Sequence, residues 1–205
     1  MKQWSSRLQQ MLWGWGSVGV IYTLSDRLQG DGYVLPPSRI DQLIPFSPSA
    51  VWVYLSFFLL IPVAYFLVPE SRLCWLTRAM QFSALFAGGC YLLWPTTMQY
   101  PDFSATGYTA AALNSLITVD SRQNCFPSLH VALTLLSVWA LALRRQWWLT
   151  AVSVIWALAI VLSILQLRRH LLLDAAGGTV LAAGCGYLVS WLEKGKRADK
   201  GITDE

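Results

Sequence analysis

The chain has 205 residues, of which 55% are hydrophobic and only 13% charged, with a formal net charge of +4. Soluble domains carry about a quarter of their residues charged, so this composition excludes an ordinary soluble protein and points to a polytopic membrane protein. The formal charge reads as topology and attraction to anionic lipid headgroups, and nothing in it resembles a nucleic-acid patch.

Crossing a bilayer takes about 20 apolar residues. Six runs qualify or come close: Met11 to Leu24, Ala50 to Val68, Leu76 to Trp94, Leu129 to Leu143, Trp147 to Leu167 and Leu171 to Leu192. The expected fold is therefore all-α, with six transmembrane helices in one domain over residues 1–192 and a charged tail, 193–205, read as disordered. Lys2 and Arg7 precede the first run, but Gly14, Gly16 and Gly19 break it and no small-residue cleavage site follows, so it is read as a span and not a signal peptide. Between the first two runs, 25–49 holds several Gly, Pro and Asp residues and reads as an outer loop, with Leu35 to Phe46 either lying along the membrane surface or simply looped. Pro62 is a candidate kink in the second span, and Gly88 and Gly89 permit close helix approach in the third. The stretch 95–127 is long enough to suggest a functional loop or lid.

Lysine and arginine set the orientation. Lys2, Arg7, Arg72, Arg78, Arg144, Arg145, Lys194, Lys196, Arg197 and Lys200 fall on one face, and Arg27, Arg39, Arg122, Arg168 and Arg169 on the other. The first face is the cytoplasmic one, so both termini are inside. Trp4, Trp52, Trp75, Trp94, Trp147, Trp148 and Trp191 stand at span ends as an aromatic belt. Cys74, Cys90, Cys125 and Cys185 show neither metal-ligand spacing nor a disulfide framework.

Two stretches carry groups that an apolar chain accommodates poorly. In 163–178, SILQLRRHLLLDAAGG, a helix would set His170 and Asp174 on one face, where the carboxylate accepts the Nδ1 proton and leaves Nε2 free to attack. The alternative is a helix end where Arg168 and Arg169 snorkel to water and His170 only caps. His130, the other histidine, opens the fourth span after Pro127 and Ser128, at a helix start whose backbone donors suit an anion such as phosphate. Both histidines belong to outer span ends and are expected to converge. Arg168, with Arg169 or Arg122, would add fork-like contacts.

The pair CFPSLH (Cys125 to His130) and HLLLDAAGG (His170 to Gly178) resembles the second and third signatures of the type 2 phosphatidic acid phosphatase superfamily, the integral-membrane lipid phosphate phosphatases. The six-span layout suits that family, and PSLH resembles the branch that includes inositol phosphorylceramide synthases and is akin to sphingomyelin synthases. The resemblance implies that His170 is the nucleophile, forming a phosphohistidine, Asp174 its orienter and His130 the acid for the departing alkoxide. It implies also that Ser128 and the Leu129 backbone hold phosphate oxygens. Two positions depart from the pattern. Ile164 stands where most members have an arginine, for which Arg168 is the substitute, and PTTMQYP, Pro95 to Pro101, lacks the lysine and arginine of the first signature. Either the substrate carries less charge, as a phosphodiester does, or Arg122 and Arg169 compensate.

The resulting expectation is a lipid phosphatase, with no cofactor or metal, acting on a lipid-linked phosphate at the outer face, taken as the periplasmic side of a bacterial inner membrane. A headgroup phosphotransferase is the alternative within the fold. A catalytically silent scaffold or a transporter using His170 and Asp174 as a proton relay is the alternative outside it.

Overall fold

A computed structural model describes residues 2–101, 106–144 and 146–199. The expectations that rest on Arg145 and Lys200, and on the side chains of Lys2, Lys196 and Arg197, lie outside the described residues. The protein is mainly helical. In order come α1 (Lys2–Leu28), a two-residue strand β1 (Tyr33–Val34), α2 (Arg39–Leu43), a 3-10 turn (Pro48–Ala50) leading into α3 (Val51–Leu55), and α4 (Phe57–Leu67). These are followed by α5 (Glu70–Leu93), β2 (Thr96–Thr97), α6 (Tyr108–Val119), α7 (Leu129–Ala142), α8 (Trp147–Gln166) and α9 (Leu172–Asp199).

All six expected apolar runs are helical. Among the described residues, three segments are long and apolar enough to cross a membrane by length and composition: Pro48–Leu67, Trp147–Gln166 and Leu172–Gly195. The fourth run, α7, is a shorter apolar helix. It is also the best buried, because it packs on α4, α5, α8 and α9 at once. Helix α9 runs past Leu192 to Asp199, so the first part of the expected tail is helical and the remainder lies outside the described residues.

Successive long helices alternate in direction. At one end Arg7 donates to the carbonyls of Tyr65 and Val68, and Arg144 to that of Leu67, so two cations meet the negative end of α4. At the other end the connections gather. β1 and β2 pair in parallel, with Tyr33 opposite Thr96 and Val34 opposite Thr97, which ties the loop after α1 to the loop after α5.

Four local readings need correction. The stretch 95–127 is not a structureless loop: TAAALNSLITV is apolar at helical spacing and forms most of α6. The loop 25–49 contains α2, closed by a capping box in which Ser38 and Asp41 exchange side-chain to backbone hydrogen bonds. Helix α4 continues through Pro62, and the break falls instead at Ser56, whose hydroxyl donates to the Val53 carbonyl and accepts from Trp156 Nε1. Trp75 does not belong to an interfacial belt. It is 1% exposed, donates to the Gly186 carbonyl and Ser190 hydroxyl, and packs edge-on against Trp139, while the other six tryptophans of that set are exposed.

Candidate active site

The end of α8 sets the geometry. Its last turn closes as a Schellman motif, with Arg168 N–H donating to the Leu165 carbonyl and Arg169 N–H to that of Ile164. The residue that turns the chain is Arg168, at φ 52°, a left-handed conformation that glycine usually supplies. Arg168 holds that conformation because its guanidinium is anchored: it donates to the carbonyls of Asp41, at 2.5 Å, and Ile44, at 2.7 Å. Arg168 therefore fastens α2 to the turn. Ile164, at the position where the family pattern has an arginine, is fully buried in the core.

The turn delivers Arg169 and His170 inward. Arg169 is 4% exposed. Its Nε donates to Asp120 Oδ2 at 3.0 Å, and its guanidinium lies over the Tyr100 ring, 4.9 Å from the centroid. His170 is buried, with Nδ1 3.5 Å from Asp174 Oδ2 and Nε2 3.4 Å from His130 Nδ1. The two histidines and Asp174 thus meet as the motif spacing implied. The His170–Asp174 contact is of ion-pair range and lacks hydrogen-bond geometry, so His170 Nδ1 and Asp174 Oδ1 are both buried without a hydrogen-bond partner.

Two carboxylates serve the start of α9, where helix donors otherwise go unpaired. Asp174 Oδ2 accepts from Leu171 N–H, and Asp41 Oδ1 accepts from Leu172 N–H, each at 2.8 Å. Burial acts to raise the pKa of Asp41, but the hydrogen bonds from Ser38 and from Leu172, with the Arg168 charge, outweigh it and hold the carboxyl below its ordinary value.

His130 is the second residue of α7. The Ser128 hydroxyl caps that helix by accepting from Val131 N–H, and Ser128 N–H donates to the Asp174 carbonyl at 3.0 Å. The Tyr91 hydroxyl donates to the Pro127 carbonyl. The Ser128 N–H is thereby engaged within the protein, where it joins α7 to α9, and Tyr91 ties the start of α7 to α5. Close approach of α7 and α9 depends on Gly178: a Cβ there would stand 2.4 Å from the Ser128 carbonyl oxygen. Gly177 is similarly covered by the Phe126 ring, which gives the AAGG of the motif a steric reason.

Behind His130 lies a group that reading the sequence missed. His130 Nε2 is 2.8 Å from the Tyr54 hydroxyl, which donates to Asp120 Oδ2 at 3.1 Å. Asp120 Oδ1 accepts from Tyr22 at 2.5 Å. Burial pushes the Asp120 pKa up, but the positive fields of His130 and Arg169 and the Tyr22 hydrogen bond prevail and hold it below the usual carboxylate value. One signal was available: Asp120 ends an apolar run as a lone acid, and acids at such places need partners.

Two hollows flank this network. One, of about 240 Å³, is lined by Val18, Phe57, Phe58, Leu116 and Leu133 and ends on the polar groups of Tyr22, Tyr54, Asp120 and His130. The other, of about 250 Å³, is bounded by Arg122, Arg169, Tyr100 and Asn114. Arg122 also lies near the Tyr100 ring, 5.5 Å from its centroid. Cys125 beside it is buried, which pushes its thiol up to about 12.

None of the curated proteins and none of the solved structures matches the chain. A family model described as the PAP2 superfamily matches residues 45–188. That span holds both histidines, Asp174, Tyr54 and Asp120, and on it the chain belongs to the PAP2 superfamily.

Proposed function

We propose that this protein is an integral-membrane lipid phosphatase that cleaves a lipid-linked phosphate through a phosphohistidine at His170. Membership of the PAP2 superfamily supports phosphatase or phosphotransferase chemistry in general. The observation that carries the finer reading is the line Asp174, His170, His130, with 3.5 Å between the first pair and 3.4 Å between the second. A carboxylate behind one imidazole and a second imidazole in front of it is the arrangement a nucleophile and its acid require.

His170 Nε2 attacks phosphorus, and the P–O bond to the lipid breaks. His130 protonates the departing oxygen from Nδ1. Water then attacks the phosphohistidine, giving up its proton to His130. His170 Nε2 and His130 Nδ1 stand 3.4 Å apart, so the phosphoryl group has to enter between them, with phosphorus toward the lone pair of Nε2 and the bridging oxygen toward Nδ1. The apolar hollow that ends on His130 suits a hydrocarbon chain, and the Arg122 and Arg169 side suits the charged group. The reading carries with it six spans and an active site on the outer, periplasmic face.

A headgroup phosphotransferase of the PSLH branch is the second reading, and one observation favours it. Arg168 is held by two carbonyls and Arg169 by Asp120, and the first signature lacks its basic pair, so cationic groups for a dianionic monoester are scarce. A phosphodiester carries one negative charge and needs fewer. The test is purified protein given a panel of lipid phosphates and phosphodiesters with chelator present, reading free phosphate and new lipid species together. Free phosphate alone supports hydrolysis; a new phospholipid that depends on an added lipid alcohol supports transfer. Labelled phosphate recovered from alkali-stable histidine after rapid quench is expected in either case, and its absence at His170 would sink both.

A further inference from the structure

We propose that Tyr54 and Asp120 act together as the positioning pair of His130, holding a proton on its Nε2 so that the proton that moves in the reaction is confined to Nδ1. The inference rests on the reading of His130 as acid and base. Asp174 stands behind His170 in the family's motif. Tyr54 and Asp120 come from outside both motifs, from α3 and from the end of α6, and stand behind His130.

The hydrogen-bond inventory favours one arrangement. Asp120 is a carboxylate, held so by Arg169 Nε at 3.0 Å, and can only accept. Tyr54 has a single hydroxyl proton, and it goes to Asp120 Oδ2 at 3.1 Å. The Tyr54 oxygen, 2.8 Å from His130 Nε2, then has only a lone pair to offer, so Nε2 must be the protonated nitrogen. Tyr54 is fully buried and His130 nearly so, so water does not substitute for this contact cheaply. Tyr22 fills the other oxygen of Asp120 and prevents the carboxylate from turning away.

The consequence falls on the opposite nitrogen. With Nε2–H fixed, His130 Nδ1 is the only ring position that gains or loses a proton, and it faces His170 Nε2. In the first half-reaction the His170 lone pair forms the N–P bond, and the P–O bond electrons stay on the leaving oxygen. That oxygen takes the Nδ1 proton, and His130 passes from imidazolium to neutral while keeping Nε2–H. In the second half-reaction the acceptor hydroxyl or water loses its proton to Nδ1 as its oxygen bonds phosphorus, and the P–N electrons return to His170. Asp120 supplies, through Tyr54, the negative charge that steadies the imidazolium.

The chain has only two histidines, so the full-length protein labelled with 15N-histidine in detergent micelles gives two imidazole systems, assigned by loss of one in His130→Gln. The expected result is a protonated Nε2 on His130 in the unsubstituted protein, and a population protonated at Nδ1 instead in Tyr54→Phe. A His130 unprotonated at Nε2, or a tautomer that Tyr54→Phe leaves unchanged, overturns the proposal. Kinetics add a second readout. Tyr54→Phe should lower kcat about 10- to 100-fold on an alkyl-oxygen ester, part of the 10²- to 10⁴-fold that acid catalysis supplies, with KM moved less than about 3-fold. On a nitrophenyl ester, whose oxygen leaves without a proton, the loss should be under about 3-fold. Equal losses on both esters would make Tyr54 a packing residue and overturn the pair. Should His130→Ala itself show no leaving-group dependence, the reading of His130 as acid fails, and the tautomer measurement still decides the positioning pair on its own. Asp120→Asn tests the far member and is expected to give the same leaving-group pattern.

Discussion

An imidazole that attacks phosphorus must carry its proton on the nitrogen that faces away, and on His170 that nitrogen, Nδ1, lies 3.5 Å from Asp174 Oδ2, whose charge favours a proton there. His170→Ala is therefore expected to abolish turnover and the covalent intermediate, since solvent cannot replace an attacking ring. Asp174→Asn should retain a small residual rate, because the amide keeps the ring in place and Leu171 N–H bonded but no longer favours the required tautomer. Single-turnover kinetics with labelled substrate separate the two. Asp41 makes a different prediction, one of stability. Its carboxyl is held below the ordinary value in the folded protein, so its contribution is fully present above its unfolded pKa of about 4 and is lost as pH falls through the lower folded value. Thermal unfolding of Asp41→Asn in micelles should lie below that of the unsubstituted protein at pH 7. The gap should close as both are taken below about pH 4.

At the scale of the helix, the meeting of α7 and α9 decides whether the histidines touch. Gly178→Ala sets a Cβ 2.4 Å from a backbone oxygen, which has no rotamer with which to yield. Overpacking of this kind costs about 1–3 kcal/mol, and here the displaced atoms belong to Ser128, two residues from His130. Both stability and kcat should fall. Gly184 lies on the same helix, and a Cβ added there would meet nothing within 4 Å, so Gly184→Ala should leave activity intact and stabilise by up to about 1 kcal/mol through helix propensity. Equal effects from the two substitutions would show that close approach is not what the motif glycine provides.

For the molecule as a whole, the connections that carry the site gather at one end, and the arginines that meet α4 gather at the other. Orientation in the membrane follows from that split if the more basic end is cytoplasmic. Cys125, buried and with its thiol pushed up to about 12, is a poor reporter of its side. Tyr108, 90% exposed at the start of α6, and Trp147, 82% exposed at the start of α8, are better positions. In intact cells an impermeant thiol reagent should label Tyr108→Cys and reach Trp147→Cys only after permeabilisation. The reverse pattern would put the active face in the cytoplasm.

What the sequence determined by itself were the features written in local pattern. Apolar runs dictated which segments are helical, because burial of their side chains is a property of composition. Two short motifs singled out His130, His170 and Asp174, because a titratable group at the edge of an apolar run is costly enough to need a purpose. Tertiary structure decided the partners. Arg168, Arg169 and Arg122 look alike in sequence, yet one turns α8 and grips two carbonyls, one pairs with Asp120 and one borders a hollow. The Ser128 N–H seemed a free donor until the Asp174 carbonyl took it up. Asp120 and Tyr54 belong to the site only because α3 and α6 are folded against α7, and no spacing along the chain encodes that. A hydrogen bond is fixed by distance and direction between groups far apart in sequence, so which polar group satisfies which was settled when the helices packed.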